Sequence, residues 1–509
     1  MDGSRHRLAL AFILAGSFAL RLHHIDKPLL DGMAVKQIYV AQKARAIAGP
    51  PFNLLNNSFD FLTADGKRLA LTEEAPFYTG LLAASYRLFG EAEWLGRLIS
   101  SLATLIAIAA LYDLLRRELN RDLALLAAFF FAFSPLLLFY GQAVQPDACM
   151  LAGMLLTACC YRRHLDTGRV RWWLAAAACG ALAALFKYYG LMVILPLAHM
   201  HLRRHGWRGI FSPRLIALSA LMAAPVAAWM ALVSFKSPNP ARTGEYFLFQ
   251  MPELLWQSTL YIRFFDRFLW KDCGPAMCGF VVAGVVAALL GRLGGKSSRP
   301  IWGWSAMAVG FYFLLGPLLR CHDYYEMMML PAASAWAALG IDALFRLLAQ
   351  RWVWLAARRH WAFAAAALAI VVLHSPWVKH GKFDWDPIFT RAARSIARRC
   401  GPGERVVVIS PQNGVAVVHY ARREGWIFLD GADVPEKLEH CRNQGVQHAV
   451  VILTDEFKPE ERAALTGALR ELPIVERKVQ KRAGHTVASE YYLIRLNEIA
   501  GHNAVAKSR

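Results

Sequence analysis

The chain has 509 residues, 56% of them hydrophobic and only 18% charged, whereas a soluble domain carries about 25% charged residues. A mean hydropathy of +0.32 excludes an ordinary soluble or disordered chain and points to lipid. The formal net charge of +20 falls in clusters between apolar blocks and forms no basic stripe in a folded soluble segment, which argues against nucleic-acid binding.

In chain order, apolar blocks near the roughly 17–25 residues that cross a bilayer occur at Leu8–Leu22, Leu98–Leu115, Leu123–Tyr140, Asp147–Tyr161, Leu215–Phe235, Phe280–Leu293, Ile301–Leu319, Met327–Leu347 and Trp361–His374. The stretch Trp172–His201 is too long for one span. Lys187-Tyr188-Tyr189-Gly190 interrupts it, so it reads as two short helices meeting there. The sum is about eleven transmembrane helices. Basic clusters at Arg5–Arg7, Arg116–Arg121, Arg162–Arg171, Arg203–Arg214, Arg292–Arg299 and Arg351–His360 lie on alternate loops. The positive-inside rule makes that side cytoplasmic, with the N-terminus on it and the C-terminal tail outside. Arg5 and Arg7 precede the first helix, and no small-residue cleavage site follows it. It reads as a retained span.

Three regions are expected outside the bilayer: His23 to about Gly90, roughly Lys236–Met277, and the tail from about Lys379. In the first, Val35–Ile47 and Phe77–Phe89 repeat apolar residues at near-helical spacing. Both are expected as surface helices, amphipathic at the membrane plane or simply structural. The second alternates aromatics such as Trp256, Tyr261 and Trp270 with Arg242, Arg263, Arg267 and Lys271. That pattern suits headgroup anchoring or a lid over a lipid. In the tail, short apolar runs at Val406–Ser410, Trp426–Leu429, His448–Leu453, Ile474–Lys481 and Ser489–Leu496 read as strands. Helical patterns lie at Ala416–Arg423, Val434–Gln444 and Pro459–Leu472. The alternation predicts a soluble α/β domain over 377–509 behind a membrane domain over 1–376. No GxGxxG or P-loop pattern follows its first strand, so no nucleotide site is expected there.

The nine cysteines show no paired metal-ligand spacing. Cys149, Cys159, Cys160 and Cys179 lie within apolar helices. Cys273 and Cys278 flank a Gly-Pro turn outside the membrane, where the compartment permits a disulfide and the spacing leaves it open.

Ionisable groups at a membrane boundary are costly unless they serve a site. Asp31 follows the first span, Glu73 and Glu74 end the first loop, Asp147 starts the fourth span, and Lys187 sits where two half-length helices meet. All are placed at the same outer depth. Each has a plain structural alternative: a turn or helix cap for Asp31 and Asp147, dipole stabilisation for Glu74, snorkelling for Lys187, and an interfacial belt for His322-Asp323-Tyr324-Tyr325. Together they suit sugar transfer from a lipid phosphate. A carboxylate takes the acceptor proton, and a cation holds the phosphate leaving group. Lys187 is the first candidate for that cation, with Arg97, His322 and the second-loop arginines in reserve.

These segments resemble the GT-C fold glycosyltransferases of family 39, which include protein O-mannosyltransferases and lipid A aminoarabinose transferases. The resemblance rests on Asp31-Gly32 with Gln37-Ile38-Tyr39-Val40-Ala41, Glu74-Ala75-Pro76-Phe77-Tyr78, Trp94-Leu95-Gly96-Arg97-Leu98, Gln145-Pro146-Asp147, Phe186-Lys187-Tyr188-Tyr189 and His322-Asp323-Tyr324-Tyr325. It covers about the first 375 residues. It implies an α-helical polytopic membrane protein and inverting transfer of a hexosyl or pentosyl unit from a polyprenyl-phosphate donor, with Asp31 as base. Asp147 is the second catalytic candidate. Lys187, Arg97, His322, Tyr324 and Tyr325 are expected at the donor phosphate and lipid, with Glu74, Lys36, Gln37 and Tyr188 nearby. Gly32 stands where the family often has a second acid, so no cofactor is assigned and a divalent metal is left open. The expected partners are the lipid-linked donor, a lipid, glycan or protein acceptor and membrane lipids, without nucleic acid. The expected location is a bacterial inner membrane with a periplasmic tail. A transporter or flippase of lipid-linked sugars is the alternative, although its internal repeats and midplane broken helices are not seen in the sequence.

Overall fold

The computed structural model describes residues 3–71, 74–236, 253, 256–293, 298–314, 322–352, 354, 383–410, 413–481 and 488–498. The chain divides into two units. The first comprises Met1–Lys27, Thr72–Tyr78 and Ala92–Lys382, and the second Pro28–Leu71, Thr79–Glu91 and Phe383–Arg509.

The first unit is helical. Its principal helices are Gly3–Leu22, Glu93–Glu118, Arg121–Phe133, Asp147–Thr167, Val170–Phe186, Ile194–His205, Pro213–Lys236, Pro275–Leu289, Arg299–Leu314 and Leu330–Arg351. They follow the apolar blocks because only internal hydrogen bonding satisfies the backbone in lipid. By length and apolar composition, three described helices can cross a membrane, or four if Ser258–Asp272 and Pro275–Leu289, bent by 117°, make one span. The others are shorter or, like Gly3–Leu22 and Asp147–Thr167, long enough but less apolar or more charged. The expected span 361–374 and residues 237–252, 254 and 255 of the aromatic second loop lie outside the described residues.

The block expected at Leu123–Tyr140 breaks at Ser134, where Pro135 starts a new short helix, Pro135–Tyr140. Proline provides no N–H and disfavours helical backbone in the residue before it. Buried Arg21 reaches this break, donating from Nη2 to the Leu137 carbonyl at 2.8 Å and from Nη1 to the Ser17 carbonyl at 2.9 Å. Cys273 and Cys278 are free thiols, so the structure does not join them.

Helices Pro275–Leu289 and Leu330–Arg351 cross on glycine. A Cβ on Gly340 would lie 1.9 Å from the Phe280 carbonyl oxygen, and one on Gly284 would lie 2.1 Å from that of Trp336. Small residues at such crossings let helix backbones touch. Gly340→Ala is expected to destabilise the helical unit by about 1–3 kcal/mol, measured as a lower thermal midpoint in detergent, while Ala at Gly310, where a Cβ meets nothing within 4 Å, leaves the midpoint unchanged.

The second unit is built on a mixed seven-stranded sheet. Its strands are β1 Ser58–Leu62, β2 Arg68–Ala70, β3 Val406–Ile409, β4 Gly425–Phe428, β5 His448–Leu453, β6 Ile474–Gln480 and β7 Ser489–Arg495, in the order β2-β1-β4-β3-β5-β7-β6. The central strands β4, β3 and β5 are parallel, with Val407 opposite Trp426 and Ala449. Strand β3 is buried along its whole length, as expected where helices cover both faces of a parallel sheet. Helices Val434–Asn443 and Pro459–Leu469 pack Leu438, Cys441, Leu465 and Leu469 against Val407, Ile409 and Val451. Helix Gly414–Ala421 approaches the opposite face, where Gly414 lies against Val408 and Ile427.

The five expected tail strands are therefore present, but the sheet does not end with them. The β1–β2 hairpin comes from the first loop, and β1 runs parallel to β4 through Phe61 and Gly425. Helix Ala34–Ala48, expected as a surface helix either amphipathic at the membrane plane or simply structural, buries Gln37, Ile38, Ala41, Gln42, Ala44 and Ile47 and packs on β1 and helix Gly414–Ala421. The α/β unit thus takes residues 28–71 and 79–91 from the segment that the sequence reading kept with the membrane domain.

Arg45 ties these pieces together. It contacts Asp60 at 2.6 Å, Glu91 at 2.5 Å and His419 Nδ1 at 3.1 Å. Burial, followed by the charges of Arg45 and Arg422, holds His419 well below the ordinary histidine range. The unfolded chain therefore binds the His419 proton near pH 6.5 while the folded unit does not, so stability is present above that pH and lost as pH falls below it. The expected loss is at most about 1.4 kcal/mol per pH unit. Hydrogen exchange of the sheet amides between pH 7.5 and 5 measures it, and His419→Gln should flatten the dependence.

Candidate active site

Five expected site residues from distant parts of the chain meet in the helical unit. Asp147 opens helix Asp147–Thr167 and is fully buried. Lys187 terminates helix Val170–Phe186, where its extended backbone (φ −161°, ψ 127°) separates that helix from a 3-10 turn over Tyr188–Val193. The Lys187 ammonium donates to Asp147 Oδ1 at 2.9 Å and lies 3.8 Å from Glu74. It also sits 4.6 Å from the ring centre of Tyr324 and 4.3 Å from that of Tyr325. The lysine side chain is only 2% exposed, so two carboxylates and two aromatic faces replace the water it loses.

The surrounding groups are aromatic and polar. Tyr188 donates its hydroxyl hydrogen to the Tyr189 hydroxyl at 2.8 Å, and the Tyr189 and Tyr325 rings meet edge-on at 5.2 Å. His322 lies 5.4 Å from the Tyr324 ring. Tyr140 donates to Asp323. The motif His322-Asp323-Tyr324-Tyr325 leads into a 3-10 segment over Asp323–Met329, whose tight turn brings both tyrosines to the lysine.

Arg97 is fully buried in helix Glu93–Glu118 and donates to the Lys27 carbonyl at 3.4 Å. Asp31, Lys36 and Gln37 belong to the second unit. There Asp31, 4% exposed, accepts a 2.7 Å hydrogen bond from Gln37 Nε2, whose other bond reaches the Gly32 carbonyl at 3.2 Å. That amide fixes the carboxylate's orientation. Glu73 lies outside the described residues.

The sequence reading missed a neighbouring charged group. Arg267, which it held only in reserve, pairs with buried Glu326 at 3.1 Å, and Asp272 adjoins Glu326. Tyr140 feels Asp272, Arg267 and Glu326 together. Glu326 follows the histidine-tyrosine motif directly, which was the available signal. Asp272 carried none, because it became relevant only through the 117° bend after it.

Removing one partner of a buried ion pair typically costs about 3–5 kcal/mol, because the other charge stays buried. Lys187→Met is therefore expected to lower the thermal midpoint in detergent. Adding Asp147→Asn should recover much of the loss, and a double variant no more stable than the single one would contradict the pairing.

Residues 73–231 match the family model of dolichyl-phosphate-mannose-protein mannosyltransferase. No curated protein matches the chain in sequence. Among solved structures, it is similar to ArnT from Cupriavidus metallidurans bound to undecaprenyl phosphate, with a TM-score of 0.60 and 16% identity over 96% of this chain and 97% of that one. The archaeal oligosaccharyltransferase AglB from Archaeoglobus fulgidus, in complex with an inhibitory peptide and a dolichol-phosphate, gives 0.59 and 14% over 94% and 73%. Mycobacterial arabinofuranosyltransferase AftD gives 0.56 and 16% over 96% and 40%. The chain has the GT-C fold of these membrane glycosyltransferases, and the mannosyltransferase match runs through the segment that supplies Glu74, Asp147 and Lys187.

Proposed function

We propose that this protein transfers a sugar from a polyprenyl-phosphate-linked donor to an acceptor hydroxyl at the periplasmic face of a bacterial inner membrane. The observation that carries the reading is the burial of Lys187 against Asp147 and Glu74 beneath Tyr324 and Tyr325. Such a cation, costly to bury, is worth holding where a phosphate leaving group gathers charge. The lipid phosphates in the ArnT and AglB structures support the same donor class.

In this reading the acceptor oxygen attacks the anomeric carbon, and its proton passes to Asp31. The bond between that carbon and the phosphate oxygen breaks, the electron pair leaves with the polyprenyl phosphate, and the configuration inverts. Gln37 orients Asp31. Lys187, with Arg97 in support, attracts the phosphate, while Asp147 and Glu74 fix the ammonium's position. His322, Tyr324, Tyr325 and Tyr188 shape the donor pocket, and Lys36 is a further candidate on the helix that follows the base. A positioned base is worth about 10²–10⁴ in rate.

Proteoliposomes supplied with labelled polyprenyl-phosphate sugar and envelope lipid as acceptor test the assignment. Asp31→Asn should lower transfer by about 10²–10⁴-fold with insertion and thermal midpoint preserved, and full activity would remove Asp31 as base. Lys187→Arg should raise the KM for donor more than that for acceptor. A defect confined to the acceptor would reverse its role.

A further inference from the structure

The α/β unit carries a second cluster of chemistry-bearing side chains. Among the described residues, Cys400, Glu404 and His448 form one group of metal-ligand type, with Sγ, carboxylate oxygen and imidazole nitrogen all within 4.8 Å of one another. Cys400 ends helix Ile388–Arg399, Glu404 lies in the Gly-Pro-Gly-Glu turn that follows, and His448 opens β5. Val406 of β3 pairs with His448 across the sheet, which brings the turn and the imidazole together.

Two features distinguish this group from an ordinary polar cluster. Cys400 is 4% exposed and His448 7% exposed. The His448 Nδ1 and the Glu404 Oε2 are both buried without a hydrogen-bond partner, although they lie 3.7 Å apart. Buried polar atoms are ordinarily satisfied. The basic residues around the group are engaged elsewhere: Arg399 with Glu476 at 2.5 Å, Arg495 with Glu498 at 2.7 Å, and Arg423 with the Cys400 carbonyl at 2.7 Å.

We propose that Cys400, Glu404 and His448 form a binding site for a divalent transition-metal ion of the zinc class. A thiolate, an imidazole and a carboxylate are the donor types zinc prefers, at roughly 2.0–2.3 Å from the ion. Tetrahedral geometry then places ligand atoms about 3.3–3.6 Å apart, which the 3.7 Å histidine–glutamate separation and the 4.8 Å limit allow with a small side-chain adjustment. On binding, the thiol proton leaves to solvent and the sulfur and carboxylate charges balance the ion. Three protein ligands leave a fourth position for water. The ion would join the end of helix Ile388–Arg399, the turn before β3 and the start of β5.

Zinc and cobalt serve as the probes, with the full-length, tag-free protein in detergent. One zinc per chain is expected after dialysis against buffered zinc, and Cys400→Ser and His448→Gln should each abolish it. The cobalt-loaded protein should show a thiolate-to-cobalt charge-transfer band that Cys400→Ser removes. X-ray absorption of the zinc-loaded native chain should fit one sulfur among nitrogen and oxygen ligands, and this measurement holds even if a variant fails to fold. Zinc content unchanged by both folded variants, or a zinc shell without sulfur, would overturn the site. A normal transfer rate in metal-free protein would not, because the site is independent of the proposed reaction.

Discussion

The helical unit depends on keeping one ammonium ion away from water. Buried Lys187 is surrounded by Asp147, Glu74, Tyr324 and Tyr325. Such an arrangement stabilises little by itself, since desolvating the ions offsets most of their attraction. It does demand that helix starts, a helix break and a 3-10 turn arrive at one place. The break at Lys187 supplies the lysine, Pro146 precedes the helix that presents Asp147, and the segment Asp323–Met329 presents the tyrosines. A continuous helix through any of these points would carry its side chain elsewhere.

Arg21 follows the same logic at the Ser134–Pro135 break. Its guanidinium donates to the Leu137 and Ser17 carbonyls, which ties the short helix after the break to the first helix. Close crossings such as Gly284 against Trp336 and Gly340 against Phe280 hold the surrounding helices together without a hydrophobic driving force.

In the second unit, the segment bearing Asp31 is an integral part of the tail's fold. The Leu29 amide donates to the Tyr420 hydroxyl at 2.7 Å, and Arg45 joins Asp60 and Glu91 to His419. Residues widely separated in sequence thus set the position of the proposed base. The tail is part of the framework around the segment that bears Asp31, because helix Gly414–Ala421 packs on helix Ala34–Ala48.

Local chemistry made much of this legible. Apolar runs marked the helices, β-branched runs marked β3 to β7, and the Lys187-Tyr188-Tyr189-Gly190 interruption marked a helix break, since each signal lies within a few adjacent residues. Glu74, Asp147 and Lys187 were identifiable because charge is conspicuous in an apolar chain, and Tyr324 and Tyr325 through their motif with His322 and Asp323. Contacts between distant segments were not legible. The pairings of Phe61 with Gly425, of Arg267 and Asp272 with Glu326, and of Cys400 and Glu404 with His448 each join segments far apart in the chain. The sequence by itself determined which segments seek lipid, which form strands and which charges needed a reason to be there. Only the tertiary structure decided which of those charges meet, because pairing depends on where helix breaks and strand order carry each side chain.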